Sequence, residues 1–148
     1  MTASGDVVLV EDNPGDVRLI QEAFGESEGD HTLHVATTAD DALELLNERA
    51  RDPDKSAPDL VLLDLNLPGK DGYDVLETIR DDAALRRLPV IVLTSSKATD
   101  DIVRCYRAQA NAYLTKPIET SKLVSMVHAI ERFWFDHASL PPESAEPS

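Results

Sequence analysis

LVLLDLNLPGKDG, running from Leu60 to Gly72, decides the fold. Its first four residues form an apolar run bounded by turn signals, which is how a strand buried on both faces of a parallel sheet reads. The run ends on Asp64, so an acid is delivered to the end of a central strand just before a tight loop. Pro68 stiffens that loop and Gly72 permits its turn.

The same rhythm continues on either side. Further strands are predicted at Val7–Val10, His31–Ala36, Val90–Leu93 and Ala112–Leu114. Amphipathic segments between them predict helices near Gly15–Phe24, Ala39–Arg51, Tyr73–Asp81, Asp100–Gln109 and Thr120–Phe135. Five such repeats describe an α/β fold, a five-stranded parallel sheet with helices on both faces. Pro14 suits a first helical turn, and Asp40 and Thr120 read as caps.

At 148 residues and 42% hydrophobic, the chain has material for one core. The expected organisation is a leader over residues 1–6, the domain over 7–135, and a Pro/Ser/Glu-rich tail over 136–148. That tail cannot bury a core; it is expected to be flexible or to pack on a dimer partner. Ser27–Asp30 and Arg51–Ala57 read as exposed loops, and no effector domain is expected to follow.

Fourteen basic against twenty-eight acidic residues give a formal charge of −14, which argues against binding nucleic acid or an anionic membrane. No apolar stretch approaches the ~20 residues that span a bilayer, and the start lacks the pattern of a secretory leader, so a cytoplasmic protein is expected. The single Cys105 excludes an intramolecular disulfide and reads as a small buried hydrophobe. His31, His34, His128 and His137 lack metal-ligand spacing and read as solvated or internally satisfied.

In an open doubly wound sheet the functional crevice lies beyond the carboxyl ends of the strands. Residues predicted there are Glu11 and Asp12 after the first strand, Asp64 after the third, Thr94 and Ser95 after the fourth, and Lys116 after the fifth. Carboxylates near 4 Å repel by about 4 kcal/mol per pair at an effective dielectric of 20, so a cation is required. Hard oxygen ligands suit Mg²⁺, held by Glu11, Asp12 and Asp64 with the backbone carbonyl of Asn66. Phosphoryl transfer needs an in-line nucleophile and positive charge on the equatorial oxygens. Asp64 supplies the nucleophile, Lys116 a second positive clamp, Thr94 a hydroxyl donor, and small Ser95 leaves the pocket open.

Taken together, VVLVEDNPGD (Val7–Asp16), LVLLDLNLPGKDG, VIVLTSS (Val90–Ser96) and AYLTKP (Ala112–Pro117) resemble the receiver domains of two-component response regulators, the CheY-like family. The resemblance runs from about Val7 to Phe135. It implies strand order 2-1-3-4-5, a flavodoxin-like arrangement, and a phosphoryl group accepted by Asp64 from a sensor histidine kinase. It also implies a metal-binding acidic pair, a switch residue at Thr94, and a conserved-type lysine at Lys116. Asn66 and Ser96 correspond to positions that influence phosphoryl lifetime. The implied protein is a signalling switch that takes part in its own phosphoryl transfer and slow dephosphorylation, with a downstream protein as partner. Tyr113 resembles the family's switch aromatic; on strand pattern alone it is an ordinary half-buried tyrosine.

The segment IERFWFDHASLPPE (Ile130–Glu143) resembles the tail of regulators that partner phytochrome-like photoreceptors. Leu123, Val127, Ile130 and Trp134 form one helical stripe. Phe133 and Phe135 fall off it, available to a second subunit in a homodimer or closing the chain's own core. Two other functions compete. A haloacid-dehalogenase-type phosphatase also uses an aspartate nucleophile, but it needs a second acid at position 66, where Asn66 cannot carry the proton. A receiver-fold binding module without phosphorylation would not need the full set of competent residues found here.

Overall fold

The apolar runs become the strands of one parallel sheet in a computed structural model that describes residues 5–26, 31–52, 54, 57–69 and 71–137. The strands are β1 (Asp6–Val10), β2 (Thr32–Ala36), β3 (Leu60–Leu63), β4 (Val90–Thr94) and β5 (Ala112–Thr115). Their order is β2-β1-β3-β4-β5, as the resemblance implied. Between them run α1 (Pro14–Gly25), α2 (Ala39–Arg51), α3 (Gly72–Asp81) and α4 (Thr99–Arg107), with α5 (Thr120–Glu131) after β5.

Strand periodicity divides the core. Val8, Val10, Val61, Leu63, Val90 and Val92 face the side covered by α2, α3 and Cys105 of α4. Val7, Leu9, Leu60, Leu62, Ile91 and Leu93 face α1 and α5, where they meet Ile20, Phe24, Leu123, Val127 and Ile130. Burial on both faces explains why β1, β3 and β4 carry almost no polar residue.

Helix starts follow local chemistry with two corrections. Asn13 caps α1, its side chain accepting from the Asp16 amide at 3.0 Å, with Pro14 beside it in the first turn. Asp40 is not the cap of α2. The hydroxyl of Thr38 accepts from the Asp41 amide at 3.1 Å, and Asp40 lies inside the first turn, where its charge favours the helix dipole. Thr120 is the first residue of α5, not its cap; Glu119 holds that position without a side-chain hydrogen bond.

The last helix departs most from expectation. Regular α-helix stops at Glu131, and Arg132–His137 form a π-helical turn. In such a turn residue i faces i+5, so Phe135 follows Ile130 into the core while Trp134 is only half-buried and Phe133 stays 55% exposed. The Phe135 ring packs on His31, centroids 4.7 Å apart, and His31 Nε2 lies 2.9 Å from a carboxylate oxygen of buried Glu131. His34 sits 3.4 Å from an Asp6 oxygen, and His128 Nε2 3.1 Å from the Ala23 carbonyl. The side chain of His137, residues 1–4 of the leader, Ser27–Asp30, much of the Arg51–Ala57 loop and the tail from 138 onward lie outside the described residues. No described helix is long and apolar enough to cross a membrane.

Candidate functional site

Register brings the predicted residues together. Val10 pairs with Leu63, so Glu11 and Asp64 leave neighbouring strands side by side, and the Asp64 amide donates to the Val10 carbonyl at 3.0 Å. Thr94 pairs with Thr115, and the Lys116 amide donates to the Thr94 carbonyl at 2.8 Å. Glu11, Asp64, Thr94 and Lys116 therefore meet at the carboxyl edge of the sheet, with Asp12 and Ser95 next to them in the chain, where the chain has gone to opposite sides of β1.

Lys116 is the hub. Its ammonium donates to Glu11 Oε2, to Asp64 Oδ2 at 2.9 Å and to Asp16 Oδ2 at 3.0 Å, with only 6% of the side chain exposed. Glu11 and Asp64 are themselves buried, whereas Asp12 is exposed beside them. Carboxylate oxygens of Glu11, Asp12 and Asp64 lie within 4.8 Å of one another, close enough to share one ion. An all-oxygen donor set of this kind suits a hard divalent cation.

Electrostatics agree with that reading. Burial, reinforced by the Asp64 charge and opposed by the Lys116 hydrogen bond, pushes the Glu11 carboxyl from 4.5 up to about 7. Burial alone would lower the Lys116 ammonium, but hydrogen bonds to Glu11 and Asp64 outweigh it and hold that group above its ordinary range. Glu11 and Lys116 are thus both shifted toward their protonated forms.

Asn66 bridges the pocket. Its amide donates to Asp64 Oδ1 at 3.2 Å, and its side-chain nitrogen lies 3.5 Å from Thr94 Oγ1. Thr94 is fully buried and makes no described hydrogen bond to Asp64. Beyond it, the Ser96 carbonyl accepts from the Tyr113 hydroxyl at 2.9 Å, and the Tyr113 amide donates to Tyr106 Oη at 3.1 Å. Tyr113 is half-buried, and burial raises its phenol above the ordinary value.

Two site features escaped sequence reasoning. Asp16 fell within the predicted first helix, yet its carboxylate faces Lys116, a contact that no local pattern announces. Asp101 fell within the predicted helix Asp100–Gln109 with no role of its own. Instead it accepts from Tyr73 Oη at 2.8 Å and from the Ser96 hydroxyl, and both bonds hold its carboxyl below the usual range. The Arg104 guanidinium lies 3.7 Å above the Tyr73 ring.

Residues 7–128 match the response regulator receiver domain family. Response regulator Rcp1 of Synechocystis sp. is 41% identical over 135 residues, covering 91% of this chain and 92% of the relative. A crystal structure of the phosphorylated cyanobacterial phytochrome response regulator RcpA superposes with a TM-score of 0.88 at 42% identity, covering 94% of this chain and 99% of that one. The Mn²⁺-bound form of Rcp1 superposes with a TM-score of 0.86 at 40% identity, covering 93% and 99%. With fold, strand order, motifs and relatives in agreement, the chain belongs to the response regulator receiver domain family and is a switch of two-component phosphorelay signalling.

Proposed function

We propose that Asp64 accepts a phosphoryl group from a sensor histidine kinase, and that the chain answers by changing the surface it offers to a downstream protein. The observation that carries this is Lys116 hydrogen-bonded to Asp64 beside the Glu11–Asp12–Asp64 carboxylates. In the transfer an Asp64 oxygen forms the new P–O bond as the P–N bond of the kinase phosphohistidine breaks. The electron pair stays on the imidazole nitrogen, which takes up a proton. Lys116 donates to the equatorial phosphoryl oxygens, and small, exposed Ser95 leaves the donor room to approach. Asn66 and Ser96 influence how long the acyl phosphate survives, so the chain takes part in its own slow dephosphorylation.

Glu11, Asp12 and Asp64, with the Asn66 carbonyl, would hold Mg²⁺, which supplies positive charge against the transferring group. Once Asp64 carries about −1.5 to −2 charges, the Thr94 hydroxyl is drawn toward the phosphoryl oxygens. Ser96 follows on the same loop, and Tyr113, bonded to its carbonyl, loses that partner and reorients. This biases the face made by α4, β5 and α5 toward a downstream partner or a second copy of the chain. Residues 7–135 act as the receiver unit in the cytoplasm, and the likeness to RcpA favours a phytochrome-like photoreceptor as kinase.

Intact mass after incubation with Mg²⁺ and acetyl phosphate tests the proposal. A gain of one phosphoryl group in the wild type, absent in Asp64→Asn, is expected. No gain in a folded wild-type protein that binds Mg²⁺ would favour the unphosphorylated binding module. The phosphatase alternative lacks support, since Asn66 points its amide at Thr94 and offers no acid.

A further inference from the structure

We infer that Asp16 is a positioning residue: from α1 it holds the Lys116 ammonium over the pocket while Glu11 and Asp64 are engaged by the cation and the phosphoryl group. The inference rests on the phosphoacceptor reading of Asp64 and deepens it.

An ammonium has three N–H donors, and Lys116 directs them to three carboxylates, those of Glu11, Asp64 and Asp16. Two of these belong to the cluster able to hold a cation; Asp16 does not. When a cation takes Glu11 and a phosphoryl group occupies Asp64, Asp16 is the carboxylate still free to hold the amine. Its side chain is 26% exposed, so water reaches it as it does not reach buried Glu11 and Asp64.

Its placement is built. Asn13 donates its amide to Glu11 Oε1 at 3.1 Å and accepts the Asp16 amide on its own Oδ1 at 3.0 Å. One residue thus orients both the cluster acid and the first turn of α1, and the Asp16 carboxylate reaches 3.0 Å to Lys116 rather than back to its own helix. A Lys side chain has many rotamers to lose, so an anchor that no ligand displaces keeps the amine ready for the transition state. Asp16 touches no phosphoryl oxygen in this account; it acts through Lys116.

The test is the rate of phosphorylation by acetyl phosphate at saturating Mg²⁺, followed by intact mass across donor concentrations. Asp16→Asn is expected to lower the saturating rate about tenfold, the worth of roughly one charge-assisted hydrogen bond, with the half-saturating donor concentration changed less than about twofold. Asp16→Glu, which keeps the charge, should recover part of the loss. In a Lys116→Ala background the same Asp16→Asn change should alter the rate by less than about twofold, because the anchored group is gone. Thermal melts of every variant control for folding. An unchanged or faster rate in Asp16→Asn, or a full tenfold loss in the Lys116→Ala background, overturns the inference while leaving Asp64 as acceptor. Phosphoryl uptake by Asp64→Asn overturns the acceptor reading, and the inference with it.

Discussion

The Tyr113 hydroxyl donates a 2.9 Å hydrogen bond to the Ser96 carbonyl, so β5 holds the loop that leaves Thr94. Removing that hydroxyl should free the loop without emptying the core. Tyr113→Phe is expected to cost about 1 kcal/mol of stability and to speed amide exchange in the segment after Thr94. Exchange as slow as in the wild type would mean that the loop is held by Ser96–Asp101 instead.

Glu11 sets a pH dependence whose sign follows from its upward shift. The folded carboxyl binds its proton up to about 7, against 4.5 ordinarily, so its contribution is fully present below 4.5 and is lost as pH rises to about 7. Without divalent cation, this group makes the fold less stable across that window. A cation must displace the proton, so apparent Mg²⁺ affinity should climb with pH by at most about tenfold per unit and level off above about 7. Melting temperatures in chelator and in Mg²⁺ across the window check both slopes; a Mg²⁺-induced shift independent of pH would contradict them.

Gly72 lies where no side chain fits. A Cβ there would collide with the Asp64 carbonyl oxygen and sit 2.8 Å from the Leu65 α-carbon, both backbone atoms that cannot step aside cheaply. Gly72→Ala should cost about 2 kcal/mol and, by displacing the Asp64 loop, slow phosphorylation by acetyl phosphate. A variant as stable and as fast as the wild type would show that the loop has another place to go.

The two phenylalanines of the π turn should behave in opposite ways. Phe135→Ala empties a buried site and should destabilise by about 3 kcal/mol, whereas Phe133→Ala should stay within about 0.5 kcal/mol. Denaturant melts separate them. Light scattering on Phe133→Ala, at unchanged stability, reports whether the exposed ring joins two copies.

Elements buried on both faces were legible because they must be apolar throughout: β1, β3 and β4 lie within a residue or two of expectation. Long-range partners were less so. His31, expected to open β2, lies just before it and turns its ring to Glu131, a hundred positions away, which no local pattern announces. The 3.6-residue stripe extrapolated past Glu131 favoured Trp134 over Phe135, because a π turn changes the period without a sequence signal. For the site, the strand-end rule located Glu11, Asp12, Asp64, Thr94 and Lys116, since sheet topology alone makes their positions converge. Asp16 and Asp101 were missed for a common reason: helix-start acids are explained by the dipole until tertiary contacts show where the carboxylates point.

The carboxylates of Glu11, Asp16 and Asp64 surround the Lys116 ammonium, and that of Asp12 lies close to two of them. A phosphodonor is an anion, and it meets a surface of its own sign until a divalent cation has arrived. Under the phosphoryl transfer proposed above, this crowding favours an order of addition, cation first and donor second. In that scheme the ambient level of free divalent cation becomes a throttle on how quickly a signal is written into the protein.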